Sequence, residues 1–326
     1  MTKVKSIDSL MKYLRDKHHI SISGSTHKRK LRNIGYYHGY KGYRFIKNPN
    51  KQIPYTDFNQ ILSVNTFDME LKALFYPQIM FIETAIKNYV LEVVLNHGKT
   101  DSFDIIFETL LTYYKVHQVG TTEYKKALNK RLQLRNKFYS ALARDYSYDK
   151  QVVQHFYHSD RYVPIWAIFE VISLGEFGNF VSCLNPNIKR DVSVSLGLNQ
   201  SFDSNRKMTE GIIFLIKDLR NSIAHNDVIF DTRFNSINPN RSLVKALIND
   251  TGIPNITFNT IVDFVILLVY IQKHLYIAKT DLAKIVSRFE NSINHFRTQI
   301  PISVYNTIFY TDTRNKLNAL KSFIKS

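Results

Sequence analysis

The 326-residue chain holds a single cysteine, Cys183. A lone thiol forms no intrachain disulfide and excludes a zinc site built from clustered cysteines. Such usage fits a reducing, cytoplasmic setting. A secretion signal is missing from the first residues, MTKVKSIDSLMKYLRDKHH, which are charged throughout and have no apolar stretch. Long apolar runs are scarce. The longest, residues 262–271, covers about half a membrane span. It contains Asp263, and it predicts a buried core helix, not a membrane-spanning one. Alternation at period two rarely persists, which leaves little room for strands. The chain has no GxxxxGK[ST] phosphate loop, no GxGxxG, no GxSxG and no HExxH. His18 with His19, and His155 with His158, lack cysteine or carboxylate companions at metal-ligand spacing. The expectation is chemistry without metal or cofactor, or no chemistry.

Negative charge is also short. Against 27 Asp+Glu stand 44 Lys+Arg, a formal net charge of +17. The excess is localised: residues 1–60 hold 13 Lys/Arg against 3 Asp/Glu, and residues 115–150 and 271–326 each hold 9 against 3. The intervening segments are acidic or near neutral. Such an excess attracts polyanions, with nucleic acid first and an anionic membrane surface second.

With 44% hydrophobic residues the chain has ample material for a core. Helical spacing dominates, and the fold class is all-α. A smaller basic helical part, 1–60, is expected to pack on a helical body, 61–326, in one continuous domain or two. Ser6 should cap a helix over 6–17, followed by a short basic helix at 27–33 and a Gly/Tyr-rich connector at 35–42. A long helix is expected over 65–96, kinked or split at Pro77. Further helices are expected at 103–117, 121–147, 164–174, 176–184, 187–196, 205–226, 242–250, 258–279, 281–298 and 312–324. Gly175 should separate two of these, and residues 227–241 should form an exposed loop. Trp166 is expected in the core, and Glu83 as the buried partner of a cation.

One segment has the parts for RNA cleavage: Lys217-Asp218-Leu219-Arg220-Asn221-Ser222-Ile223-Ala224-His225-Asn226-Asp227. Asn221 and His225 are four apart and share a helix face. Histidine can take or give the proton, arginine can hold phosphate charge, and asparagine can orient either. A second proton-transfer group is still required, which a facing copy in a dimer would supply. Arg32/His38 and Arg288/His295 have similar spacing, so spacing alone does not choose among the three pairs.

The context does. The stretch IIFLIKDLRNSIAHND resembles the active-site box of HEPN ribonucleases, and three other boxes resemble abortive-infection proteins of the AbiD/AbiF type. These are SIDSLMKYLRDKHHISI with LRNIGYYHGY, FDMELKALFYPQIMFIETAIKNYV, and HFYHSDRYVPIWAIFEVISLGEFGNF. Together they run from about residue 6 to 230. The resemblance implies a HEPN-like helical bundle and a metal-independent endoribonuclease acting in anti-phage defence or toxin-type growth arrest. It implies catalytic roles for Arg220, Asn221 and His225, pairing in a homodimer, and a small noncoding RNA that restrains the protein. An arginine that often follows the motif histidine in the family is absent here, the nearest being Arg233; Lys87 stands where the family's long helix has arginine.

Arg29, Lys30, Arg32, Lys41 and Arg44 interleave with tyrosines and are candidate RNA contacts. Tyr36 and Tyr37 are expected to pack on the body. Lys126, Lys130 and Arg131 form a second candidate track on the basic helix. The rival reading is an RNA-binding regulator or scaffold without turnover, and a membrane-surface protein ranks last.

Overall fold

The computed structural model describes residues 6–235 and 239–326. The chain opens with α1 (Ile7–His18), α2 (Gly24–Ile34) and a π-helical turn (Tyr37–Lys41), then enters α3 (Phe58–Gly98). There follow α4 (Phe103–Thr109), a 3₁₀ turn (Tyr113–Val116), α5 (Thr122–Ser147), α6 (Gln151–Tyr157), α7 (Ile165–Val171), α8 (Leu174–Cys183), α9 (Pro186–Ser195) and α10 (Met208–Ala224). The last third holds α11 (Arg241–Thr251), α12 (Ile261–His274), α13 (Lys279–Gln299), α14 (Ile302–Ile308) and α15 (Thr313–Lys325). The fold is all-α. Among the described residues the only β pairing is two isolated bridges, Ser21 with Asp57 and Phe45 with Gln52.

Side-chain caps set several helix starts. Ser6 accepts from the Ser9 amide at α1, Asp57 from Asn59 at α3, and Thr121 from Tyr124 at α5. Helix α3 runs 41 residues without being split by Pro77. Pro77 and Ala73 both face solvent, so water can satisfy the carbonyl that loses its partner. Gly175 lies inside α8 and separates nothing. The break is at Ser173, whose hydroxyl accepts from the Glu176 amide while the Glu176 carboxylate accepts from the Ser173 amide. The expected helix 103–117 is interrupted because the Leu110 carbonyl is taken by the amide of Asn185, the cap of α9.

Trp166 is not core. It is 42% exposed, because Ile165, Ile168 and Phe169 take the inner face of the short α7. Its ring meets Phe156 edge-on at 5.6 Å. Glu83 does pair with a cation, Lys87, at 3.0 Å in a partly buried position.

One connected set of buried apolar side chains extends from Met11 to Ile324. Helix α12 is buried from Ile261 through Gln272, as its apolar sequence predicts. Its one carboxylate, Asp263, is compensated by Lys316 at 2.8 Å and by the amides of Thr257 and Phe258. No helix among the described residues is long and apolar enough to cross a membrane. Helix α3 packs on α13 along one side and on α9 and α10 along others, while α8 packs on both α5 and α10. The N-terminal part joins the body through the π turn, where Tyr40 and nearby Tyr43 are buried. Gly39 allows this turn, since a Cβ there would collide with Ile34.

Candidate functional site

Helix α10 turns one apolar face inward through Ile212, Ile213, Leu215, Ile216 and Leu219. That phase leaves Arg220 and Asn221 half-buried at its edge and His225 exposed at the helix end. The His225 amide donates to the Asn221 carbonyl at 2.9 Å. Arg220 Nη1 donates to Asn221 Oδ1 at 3.3 Å. Two of the three motif side chains are therefore linked directly, and the third follows one turn on.

The helix ends in a left-handed residue, Asn226 (φ 57°), with the Asp227 amide reaching back to the Ser222 carbonyl at 2.8 Å. The chain then turns inward. Val228 through Thr232 are buried, so the first part of the expected exposed loop is interior; residues 236–238 of it lie outside the described residues. Burial is possible because α3 supplies polar partners for the backbone. Asp68 Oδ1 accepts from the amides of Ile229 and Phe230 at 2.9 and 2.8 Å. Its Oδ2 pairs with Lys72 at 2.9 Å and accepts from the Tyr43 hydroxyl at 3.0 Å. Lys72 also donates to Asn226 Oδ1 at 2.8 Å, fixing the residue directly after the motif histidine. Burial pushes the Asp68 carboxyl up, opposed by Lys72 and the two amides. The same burial, with Asp68 alongside, drives the Tyr43 hydroxyl far up.

A second latch lies beside it. Asp231 Oδ2 accepts from the Lys47 amide at 2.6 Å. Arg233 pairs with Asp231 at 2.8 Å, donates to the Phe45 carbonyl at 2.7 Å, and lays its guanidinium over the Phe45 ring at 4.5 Å. Arg233 thus ties down the loop.

Between these latched segments and the N-terminal part opens a cleft of about 1040 Å³. Asn33, His38, Lys41 and Arg44 line it from the N-terminal part, and Asn221, Asn226 and Asp227 from the end of α10. Arg44 Nε is buried without a hydrogen-bond partner. Asp218 also lines the cleft, pairs with Lys217 at 2.7 Å, and has one carboxylate oxygen buried without a partner. Of the motif, only Asn221 lines the cleft; Arg220 and His225 lie outside its wall.

Of the candidate RNA contacts, Lys41 and Arg44 join Asn221 in this cleft. Arg29, Lys30 and Arg32 are exposed on α2. Lys126 and Lys130 sit on α5 beside a separate cavity of about 290 Å³. Arg131 points inward and is only 6% exposed. It donates to the Phe107 carbonyl at 2.8 Å and to Glu108 at 2.9 Å, with its guanidinium 3.7 Å from the Phe107 ring centre. It belongs to the core of the α4–α5 contact and leaves the surface track. Tyr36 packs against Tyr40 as expected, whereas Tyr37 is 70% exposed, because the π turn rotates it outward. Among the described residues no group of three or more His, Cys, Asp or Glu side chains is placed to hold a metal ion.

Sequence reading assigned no role to Asp68, Lys72 or Asn226. The available signal was the Asp-x3-Lys pair at one-turn spacing in the otherwise apolar segment of α3.

Residues 29–231 match the sequence model of the Abi-like protein family, well over half of the chain. No curated protein and no solved structure matches it.

Proposed function

The chain belongs to the Abi-like protein family, and we propose that it is a metal-independent HEPN-type endoribonuclease of the cytoplasm, acting in anti-phage defence by abortive infection or growth arrest. The observation that carries this reading is the end of α10, where Arg220, Asn221 and His225 gather at a helix terminus that opens, at Asn221, into a cleft bearing Lys41 and Arg44. His225 serves as proton-transfer group, Arg220 stabilises charge on the phosphorane-like transition state, and Asn221 orients Arg220 through their hydrogen bond. Lys41 and Arg44, with the exposed cations of α2, hold the RNA backbone. The partners are substrate RNA, a small noncoding RNA that restrains the protein, and a second copy of the chain.

The test is RNA cleavage in the presence of EDTA by wild type, Arg220→Ala and His225→Ala. Cleavage by wild type and a loss of about 10²–10⁴-fold in each variant is the expected result. Equal rates in all three remove the assignment.

One observation favours a second reading. The cations that line the cleft lie outside the motif, so RNA binding and the motif are separable. A non-catalytic RNA-binding regulator predicts tight binding that falls steeply with salt and no cleavage by wild type.

A further inference from the structure

The tripeptide Leu-Arg-Asn occurs twice, each time followed by a histidine within a few residues: Leu31-Arg32-Asn33 before His38, and Leu219-Arg220-Asn221 before His225. Both copies lie at the C-terminal end of a helix, α2 and α10. In both, the leucine is fully buried and anchors the helix end. In both, the asparagine lines the same 1040 Å³ cleft, and His38 lines it too. The two stretches are far apart in sequence, yet the Asp68 and Asp231 latches hold the chain after each copy against the other.

The reaction needs two proton-transfer groups, and the α10 motif holds one histidine. From this arrangement we infer that His38 is the second catalytic residue, so that one chain carries a complete RNA-cleaving site assembled from its two Leu-Arg-Asn helix ends. The inference rests on the endoribonuclease reading of the α10 motif. One histidine removes the proton of the ribose 2′-hydroxyl as its oxygen attacks phosphorus. The bond from phosphorus to the 5′-oxygen breaks, and the other histidine, in its imidazolium form, gives that oxygen its proton. The products are a 2′,3′-cyclic phosphate and a 5′-hydroxyl, with no co-reactant. Arg44, whose buried Nε has no protein partner, sits in the cleft wall where a phosphate oxygen can accept from it.

His38 is exposed, so His38→Ala and His38→Gln should melt as wild type does. Each is expected to lower the single-turnover cleavage rate at saturating protein by about 10²-fold or more. Binding of a fluorescent RNA whose scissile 2′-hydroxyl is replaced by hydrogen is expected to stay within about twofold of wild type. Mixing His38→Ala with His225→Ala should restore nothing, because each lacks half of its own site. Loss of cleavage in His225→Ala with a full rate in His38→Ala overturns this inference and leaves the endoribonuclease reading standing. So does activity regained on mixing, which places the two histidines in different chains. A His38 defect confined to binding, and erased at saturating protein, makes His38 a binding group and also overturns it. A wild type that cleaves no RNA overturns the underlying reading, and the inference with it.

Discussion

Asp68 gathers two backbone amides, one ammonium and one phenol on two oxygens with no exposure to water. Removing it strands Lys72, which is nearly as buried. Asp68→Ala is expected to destabilise the fold by about 3–5 kcal/mol in urea unfolding. It should also speed hydrogen exchange at the Ile229 and Phe230 amides. Trp166→Ala, by contrast, should cost about 1 kcal/mol or less by the same measurement, where a core tryptophan would cost about 3–5. His274 provides a pH signature. Burial against Tyr270, together with neighbouring Lys273, lowers it below its usual 6.5, while Asp250 opposes. The folded state thus prefers the neutral ring. That contribution is complete above pH 6.5 and is lost as pH falls through the lowered value. His274→Gln should flatten stability against pH between about 7 and 5, read by thermal melts. Local spacing made Arg220, Asn221 and His225 legible, since one helical turn fixes their relation. The Asp68 contacts were not legible, because their partners lie 161 and 162 residues away. Trp166 was misread because a seven-residue helix offers too few turns to fix its phase.

At the scale of elements, caps and sustained periodicity carried most of the information. The starts of α1 and α5 coincide with Ser6 and Thr121, whose side chains bond the helix amides. The short α6 and α14 escaped, since seven residues barely complete two turns. Pro77 shows packing prevailing over local propensity. Neighbouring residues Leu74, Phe75 and Ile79 are buried, and their contacts hold α3 together across the missing hydrogen bond. Pro77→Ala restores a donor to the Ala73 carbonyl and removes a steric conflict. It is expected to raise stability by about 1–3 kcal/mol, seen as a higher melting temperature. A lower melting temperature would mean that the helix depends on the proline's shape.

For the whole molecule, the charge of +17 divides into cations that face solvent and cations that the fold has used. Lys41 is exposed at the cleft, whereas Arg131 and Lys316 are interior and paired. Counting residues along the chain cannot separate these groups, because burial depends on tertiary contacts. Lys41→Ala should therefore reduce the slope of log affinity for RNA against log salt by about one. Arg131→Ala should leave that slope unchanged while lowering stability, as measured by salt-titrated RNA binding beside a urea curve. An altered slope for Arg131→Ala would place its guanidinium at the surface.

The latch between Lys47 and Asp231 joins positions 184 residues apart. On a ribosome adding about 5–20 residues per second, the Lys47 amide waits roughly 10–40 s for the carboxylate that binds it to be synthesised. Helices α1 and α2 are complete long before the surface they will face exists. The cleft is therefore among the last features of the molecule to form, and a chain interrupted before Asp231 has the basic arm but nothing to close it against.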